Sequence, residues 1–464
     1  MPLRTGRQYL AGLKDGREVW LGGQRVQDVT TQPEFAGCLH TIAEVYDLQH
    51  QPEHRELLTA LSPATGEPIS RAFALPGSTE DLVRRRQMIE FLMRRSAGSM
   101  GRLPEYMATL LMGIYNFRDV FAEEDERFGE NIVRYFEYVR DNDLCLTHAF
   151  ADPARSRRHA AAEGAEYLHV VERRPDGIVI RGAKAVATLA PFADEFMGLT
   201  SPRAGLKPEE VIYFAVPVAT PGLRIICREP LNHGSPDDHP LAARYDEMDG
   251  WVVFHDVFVP FERVFFLDRA DLNQEVFTRI PIAWAYYHIL VRTAVKAEVI
   301  AGLCAALSAQ PEADPLVAEA IRYLETMRAF ILAAERSPVY SSFGLAMPEP
   351  AQVVLGRLHA IEGYPRMLQV VRDLAGSGLL MSPSDAQLHS PELGPDVARF
   401  LGVDEERIRL LRLAWDFTSD SYGMRQLLFE LHNAGTFSRN QERLLRIYDT
   451  SPYVELAKRL AGVP

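Results

Sequence analysis

An α+β fold in three successive parts, helical, then β, then helical, is what the sequence predicts, and three changes of texture predict it. Apolar residues recur at spacings of three and four through Tyr106–Tyr115, the pattern of a helix with one face in a core. Between Tyr167 and Val259 the chain turns to short β-branched and aromatic runs punctuated by Gly and Pro, as strands and tight turns require. Beyond about residue 270 the helical period returns over long stretches. A chain of 464 residues also exceeds one ordinary core, so two or three units sharing an interface are expected.

The first unit, residues 1–145, is expected to be mainly helical, opened by an extended element at Val19–Gly23. Pro104 suits a first helical turn, where its missing N–H is not needed, and this puts Tyr106 near a helix N-terminus. The middle unit, 146–268, is expected to be a small β barrel or sandwich. Its strands are read at Tyr167–Arg173, Ile178–Arg181, Val211–Val218, Leu223–Cys227 and Trp251–Val259, with Arg174–Gly177 as a turn. The third unit, 269–464, reads as an up-and-down helical bundle. Its helices span 282–307, 315–335, 350–375 and 403–430, with breaks at Ser337–Pro350 and Gly376–Asp385 and a tail helix from 440.

Composition excludes several classes. A net charge of -13 argues against nucleic acid or an anionic membrane as the main partner, because neutralising phosphates takes a basic face. The most apolar run, Pro281 to Val291, is too short to span a bilayer and continues into Arg292 and Lys296; it reads as a core helix. The start, Met1–Arg7, has no apolar segment of signal-peptide type, so a cytoplasmic protein is expected. Cys38, Cys145, Cys227 and Cys304 lie far apart and form no Cys-x-x-Cys, which suits buried reduced thiols rather than disulfides or zinc. No Gly-x-Gly-x-x-Gly fingerprint and no P-loop is present.

A few polar residues stand out. Arg102 and Tyr106 are four apart at a helix start, so both can converge on one ligand, and an arginine beside the positive end of a helix suits a phenolate or a carboxylate. Taken alone, the pair also reads as an exposed arginine beside a half-buried tyrosine. His148 offers an imidazole that titrates near neutrality and can take or hold a phenol proton; by itself it also reads as a core histidine satisfied by a carbonyl. His50 and His54 have helical ligand spacing, but Pro52 lies between them and no third ligand is evident, so they read as surface residues.

Six segments, in order, resemble one family nearly end to end: Arg4–Leu10 with Asp15–Trp20, Asn142–His148, Asp256–Val264, Gly376–Ser384 and Tyr422–Glu430. They are similar to the oxygenase component of the 4-hydroxyphenylacetate 3-monooxygenase family, two-component flavin-dependent phenol hydroxylases of acyl-CoA dehydrogenase-like fold. The resemblance implies that the Arg-x-Pro-x-Tyr residues Arg102 and Tyr106, with His148 of Leu-Thr-His, surround the phenolic oxygen of the substrate and are catalytic. It implies flavin contacts at Thr147, His148, Arg155, Thr188 and Gly423, Met424, Arg425 and Gln426, and a substrate-side loop at Thr200 and Ser201. Gly182 would let the second flavin strand, Arg181–Asp194, approach a flat ring, and Arg157 would join Arg155 near pyrophosphate.

The activity so implied is hydroxylation of a phenol ortho to its hydroxyl, using O2 and FAD as FADH2 from a separate flavin reductase, in a homotetramer built on the bundle. A dry pocket, closed by a loop over 198–210, is expected. Gln32 and Phe261 replace a histidine and a tryptophan common in the family, and the regions 200–211 and 337–350 look short, so the group at the far end of the substrate, free or carrier-bound, is left open. A non-catalytic flavin-binding protein and a 4-hydroxybutyryl-CoA dehydratase are the rivals. The dehydratase needs cluster cysteines on the Arg102 helix, and no cysteine lies between Cys38 and Cys145.

Overall fold

The computed structural model describes residues 3–123, 125–153, 167–203, 205–232, 234–401 and 404–463. Two sheets form its middle. The larger runs 24–26, 18–21, 223–227, 249–260, 177–188, 169–174; the smaller runs 264–267, 212–217, 195–199, 146–149. Their inner faces meet through aromatic rings: Phe254 lies 5.5 Å from Phe196 and 5.7 Å from Phe214, an offset and edge-on arrangement that suits ring quadrupoles. The sheets join where Ala151 bridges Ala185.

The extended element near the N-terminus takes part in this sheet. Glu18–Leu21 pairs parallel with Leu223–Cys227 and antiparallel with Gln24–Val26, so Val19 is fully buried although it lies far away in sequence. Strand Gly177–Thr188 is not regular. Its pairing with Asp249–Pro260 slips at two places, and Val186 at the first of them has φ of 58°, the extra residue and twist of a bulge.

Among the helices, Pro104–Asn116 lies at the centre. Pro104 opens it at the first turn. The sequence predicts a helix with one buried face; here Glu105 through Ile114 are all buried, because strand 146–149, helix Glu126–Asp141 and the turn Ile282–Tyr286 pack around it. A helix buried all round is the expected reading of near-continuous apolar sequence. The C-terminal bundle contains Tyr287–Leu307, Pro315–Arg336 and Pro350–Ala375 packed on one another. The stretch read as one helix over 403–430 is two, Glu405–Thr418 and Ser421–His432; Asp420 ends the continuity by accepting from the Gly423 N–H and capping the second. The break at 337–350 forms a short hairpin, Val339–Tyr340 with Ala346–Met347. All four cysteines are buried free thiols. Among the described residues, no helix is long and apolar enough to cross a membrane.

Candidate active site

Arg102 stands just before helix Pro104–Asn116 and is 8% exposed. Its Nη1 donates to the Gly101 carbonyl at 2.8 Å and its Nη2 to Oδ1 of Asn433 at 2.7 Å. Among the described residues no carboxylate pairs with this guanidinium; Glu247 accepts instead from its main-chain N–H at 2.7 Å. A guanidinium does not lose its proton in a protein, so a buried positive charge held only by neutral oxygens is left to face a ligand. Gly101 allows this placement, since a Cβ there would lie 2.5 Å from Cζ of Phe429, whose ring packs 5.4 Å from the Arg102 guanidinium.

One turn on, Tyr106 lies under that charge, with the guanidinium carbon 4.1 Å from the ring centroid, a cation–π distance. His148 reaches the same place from strand 146–149. Its ring stacks 6.0 Å from Tyr106, its Nδ1 lies 3.1 Å from Sδ of Met107, and Phe150 packs 4.6 Å away. Burial, and then the Arg102 charge, push His148 well below the usual imidazole range. It is therefore neutral at physiological pH, with a lone pair free to accept a proton or a hydrogen bond. The three residues expected to meet do meet, drawn from a helix start and a strand 40-odd positions apart.

The other expected residues divide. Thr147 and His148 are consecutive in a strand, so their side chains point to opposite faces. Thr147 is fully buried and donates to the Thr188 carbonyl at 2.6 Å. Thr188 in turn donates to Oδ1 of Asp249 at 2.6 Å, and Arg425 grips Asp249 with Nε at 3.0 Å and Nη2 at 2.9 Å. Desolvation of Asp249 is overcome by Arg425 and Arg228, which hold its carboxyl below the ordinary carboxylate range. Thr147, Thr188 and Arg425 thus share one hydrogen-bonded chain. Phe429, 4.8 Å from Arg425, and Glu247, 3.4 Å from its Nη1, tie that chain to Arg102.

Gly423, Met424 and Gln426 point elsewhere. Met424 is 51% exposed; Gly423 packs on the backbone of Asp416 and Phe417; Gln426 is buried among Lys296 and the Ser99 carbonyl. A helix turns about 100° per residue, so four consecutive side chains cannot share a face. Gly182 makes its close approach to the backbone of Tyr167 and Leu168. Thr200 is spent on the Glu210 carbonyl at 2.5 Å, and Ser201 donates to the carbonyl of Phe150, which brings its loop beside His148. Arg203 straps the same loop to Glu210 and Asp152. Arg155 and Arg157 lie outside the described residues. His50 is exposed and His54 packs on Phe91.

Sequence reasoning missed Asn433, Met107, Glu105 and His288. The last two carried a signal: Glu105 is the variable residue of Arg-x-Pro-x-Tyr, and His288 is the lone imidazole in the apolar run Pro281–Val291.

A three-part acyl-CoA dehydrogenase-like scaffold, with a guanidinium, a phenol and an imidazole gathered between its β unit and its helices, defines the class of protein. Residues 5–266 match the 4-hydroxyphenylacetate 3-hydroxylase N-terminal family and residues 276–462 its C-terminal counterpart. The chain belongs to this family. It is 37% identical to the 4-hydroxyphenylacetate 3-monooxygenase oxygenase component of Thermus thermophilus, over 97% of this chain and 96% of the relative. It is 32% identical to the FADH(2)-dependent monooxygenase TftD of Burkholderia cepacia, over 93% and 87%. The crystal structure of a 4-hydroxyphenylacetate 3-monooxygenase oxygenase component complexed with FAD and 4-hydroxyphenylacetate superposes with a TM-score of 0.92 at 35% identity, covering 99% of this chain and 98% of that one.

Proposed function

We propose that the protein is the oxygenase component of a two-component monooxygenase that hydroxylates a phenol ortho to its hydroxyl, with O2 and with reduced FAD delivered by a separate reductase. The observation that carries this reading is the Arg102 guanidinium, buried beside Tyr106 and a neutral His148 and paired with no carboxylate among the described residues. A phenol bound there loses its proton readily, because Arg102 stabilises the phenolate in a low-dielectric site. His148 and Tyr106 hydrogen-bond the phenolic oxygen from two directions. The phenolate ring is richer in electrons at its ortho carbon, which is what an electrophilic oxygen donor attacks.

The residues present suit a flavin. Asn433 Nδ2, buried beside Arg102, has no partner among the described residues and is available to a ring with polar edges. Thr147, Thr188 and Arg425 are the residues of this chain proposed to hold the group; when bound, reduced FAD supplies the activated oxygen. Met107 and Phe150 around His148 exclude water, which favours transfer of oxygen to the phenol over its loss as peroxide.

Thr200 and Ser201 belong to the loop proposed to face the far end of the substrate. A homotetramer is supported by apolar residues left exposed on the C-terminal helices, among them Met424, Leu428 and Leu380 at 51%, 51% and 75%, an extent that marks association surfaces. The test is to supply the protein with reduced FAD, air and a panel of free and carrier-bound phenols, and to weigh the products. Catechols are expected. Arg102→Ala and His148→Ala should each cut catechol yield by about 100-fold or more while reduced flavin is still consumed and peroxide accumulates. Undiminished hydroxylation by either variant overturns the assignment.

A further inference from the structure

Tyr106 is backed by two titratable groups that the chemistry above leaves unused. Glu105, beside it on the helix, is 3% exposed, and His288, from helix Tyr287–Leu307, is fully buried. Their side chains approach at 3.4 Å, Nε2 of His288 to Oε1 of Glu105. The His288 ring stands near-perpendicular to Tyr106, with centroids 5.1 Å apart. Among the described residues, Glu105 Oε2 and His288 Nδ1 have no hydrogen-bond partner. Leaving two buried polar atoms unpaired costs about 1–3 kcal/mol each, so a native site that keeps them points to a use.

On its far side Glu105 lines a cavity of about 20 Å³, with Tyr46, Gln49, Ser70 and Asp143 also in the wall. This volume fits one water, which needs two or more polar partners; Oε1 of Gln49 is likewise unpartnered. Beyond it, Asp143 accepts from Gln49 at 3.1 Å and from the Arg4 N–H at 3.1 Å.

The electrostatics suit proton traffic. Burial raises Glu105 to about 8. Burial, with the cations Arg292, Arg102 and Arg85, holds His288 well below the usual imidazole range. Asp143 is raised by burial to about 6, against the pull of Arg4. The other titratable neighbours, Cys145 and Tyr46, are driven up by burial and stay protonated. At neutral pH the pair is then a carboxylic acid beside a neutral imidazole, with no net charge and one proton to pass.

We propose that Glu105 and His288 form a proton relay from the phenol pocket, by way of Tyr106, to a water in the Gln49–Asp143 cavity. The inference rests on the phenol hydroxylase reading, since binding a phenolate in a dry site obliges one proton to leave. The phenol proton passes to the Tyr106 hydroxyl oxygen as that hydroxyl releases its own proton to Nδ1 of His288, whose ring stands edge-on to Tyr106. The Nε2 proton passes to Oε1 of Glu105, Oε2 releases the original carboxyl proton to the water, and Asp143 receives it. Each protein group short of Asp143 ends with the proton count it began with. The 3.4 Å contact is long for a hydrogen bond and Nδ1 of His288 has no partner among the described residues of the substrate-free protein; the relay requires both contacts to close when substrate binds, as catalytic contacts commonly do.

The test uses 4-nitrophenol, whose phenolate absorbs visibly, mixed with the full-length protein without flavin. Rapid-mixing absorbance between about pH 6 and 9 reads the ionisation rate on the protein. Glu105→Gln keeps the shape and removes the exchangeable proton; it should slow ionisation about 10-fold or more and flatten its pH dependence, with little change in nitrophenol affinity. Glu105→Asp should recover part of the rate. Wild-type rate and pH profile in Glu105→Gln overturn the relay, and so does equal slowing of the Asp and Gln variants with an unchanged pH profile, which marks a packing role. Because the readout needs no flavin, catechol formation by the wild type tests the hydroxylase reading separately.

Discussion

Two polar clusters hang on one helix and are treated in opposite ways. His288 and Arg292 lie four residues apart on Tyr287–Leu307 and so face the same side. Arg292 gives Nη1 and Nη2 to the two oxygens of Glu430 at 2.7 and 2.6 Å, and Lys296 reaches Glu430 at 2.5 Å and Gln426 at 2.8 Å. These two cations outweigh burial and hold Glu430 below the ordinary carboxylate range. His288 has a single long contact to a carboxyl that burial keeps protonated. The first cluster is charge-paired and locks helix Ser421–His432 onto the bundle. The second is left with spare valences next to the pocket, which is where proton chemistry needs them.

The largest expected effect comes from unbalancing the charge-paired cluster. Glu430→Ala leaves Arg292 and Lys296 buried without a counter-charge and should cost about 3–5 kcal/mol in stability, read from the midpoint of denaturant unfolding. A loss under about 1 kcal/mol would mean that water or a relaxed partner replaces the carboxylate and that the contrast is false.

Next is a pH dependence that belongs to the unsaturated cluster alone. Glu105 has a raised folded value, about 8 against 4.5. Between these values the native state binds more protons than the unfolded one, so stability is fully present below about 4.5 and is lost as pH rises through about 8. The span amounts to a few kcal/mol in order of magnitude. Unfolding curves of Glu105→Gln should lack this slope relative to wild type, while Glu430→Gln should retain it.

The smallest effect sharpens the link between the two clusters. Gly101→Ala drives a Cβ to 2.5 Å from the ring of Phe429, the residue just before Glu430, and the overpacking should cost about 1–3 kcal/mol. Phe429→Leu in the same chain should relieve most of it. Additive losses in the double variant would show that the clash lies elsewhere.

How far the site was legible follows from how its residues are connected. Arg102, Tyr106 and His148 sit in short motifs whose local geometry is readable: a proline-started helix and a strand before a loop. The acceptor for Arg102, Asn433, is 331 residues away, and the partner of Glu105 is 183 away; no local pattern marks either. The four consecutive positions 423–426 were legible as a segment but not by face, because which residues of a helix point inward depends on what packs against it. The split at Ser419 and Asp420 was written in the sequence as a capping residue, yet the periodicity on both sides masked it.

By itself the sequence determined the order of helical, β and helical parts, the strand and helix types within them, and the residue kinds at the phenol end, because periodicity, turn residues and caps act over a few neighbours. Tertiary structure alone decided that Val19 joins a strand two hundred residues on, that the Arg102 guanidinium rests on the neutral oxygens of Gly101 and Asn433, and that His288 and Glu105 meet in a buried interior. Those outcomes depend on packing between distant segments, where burial and desolvation, rather than local preference, set each group's partner and its charge.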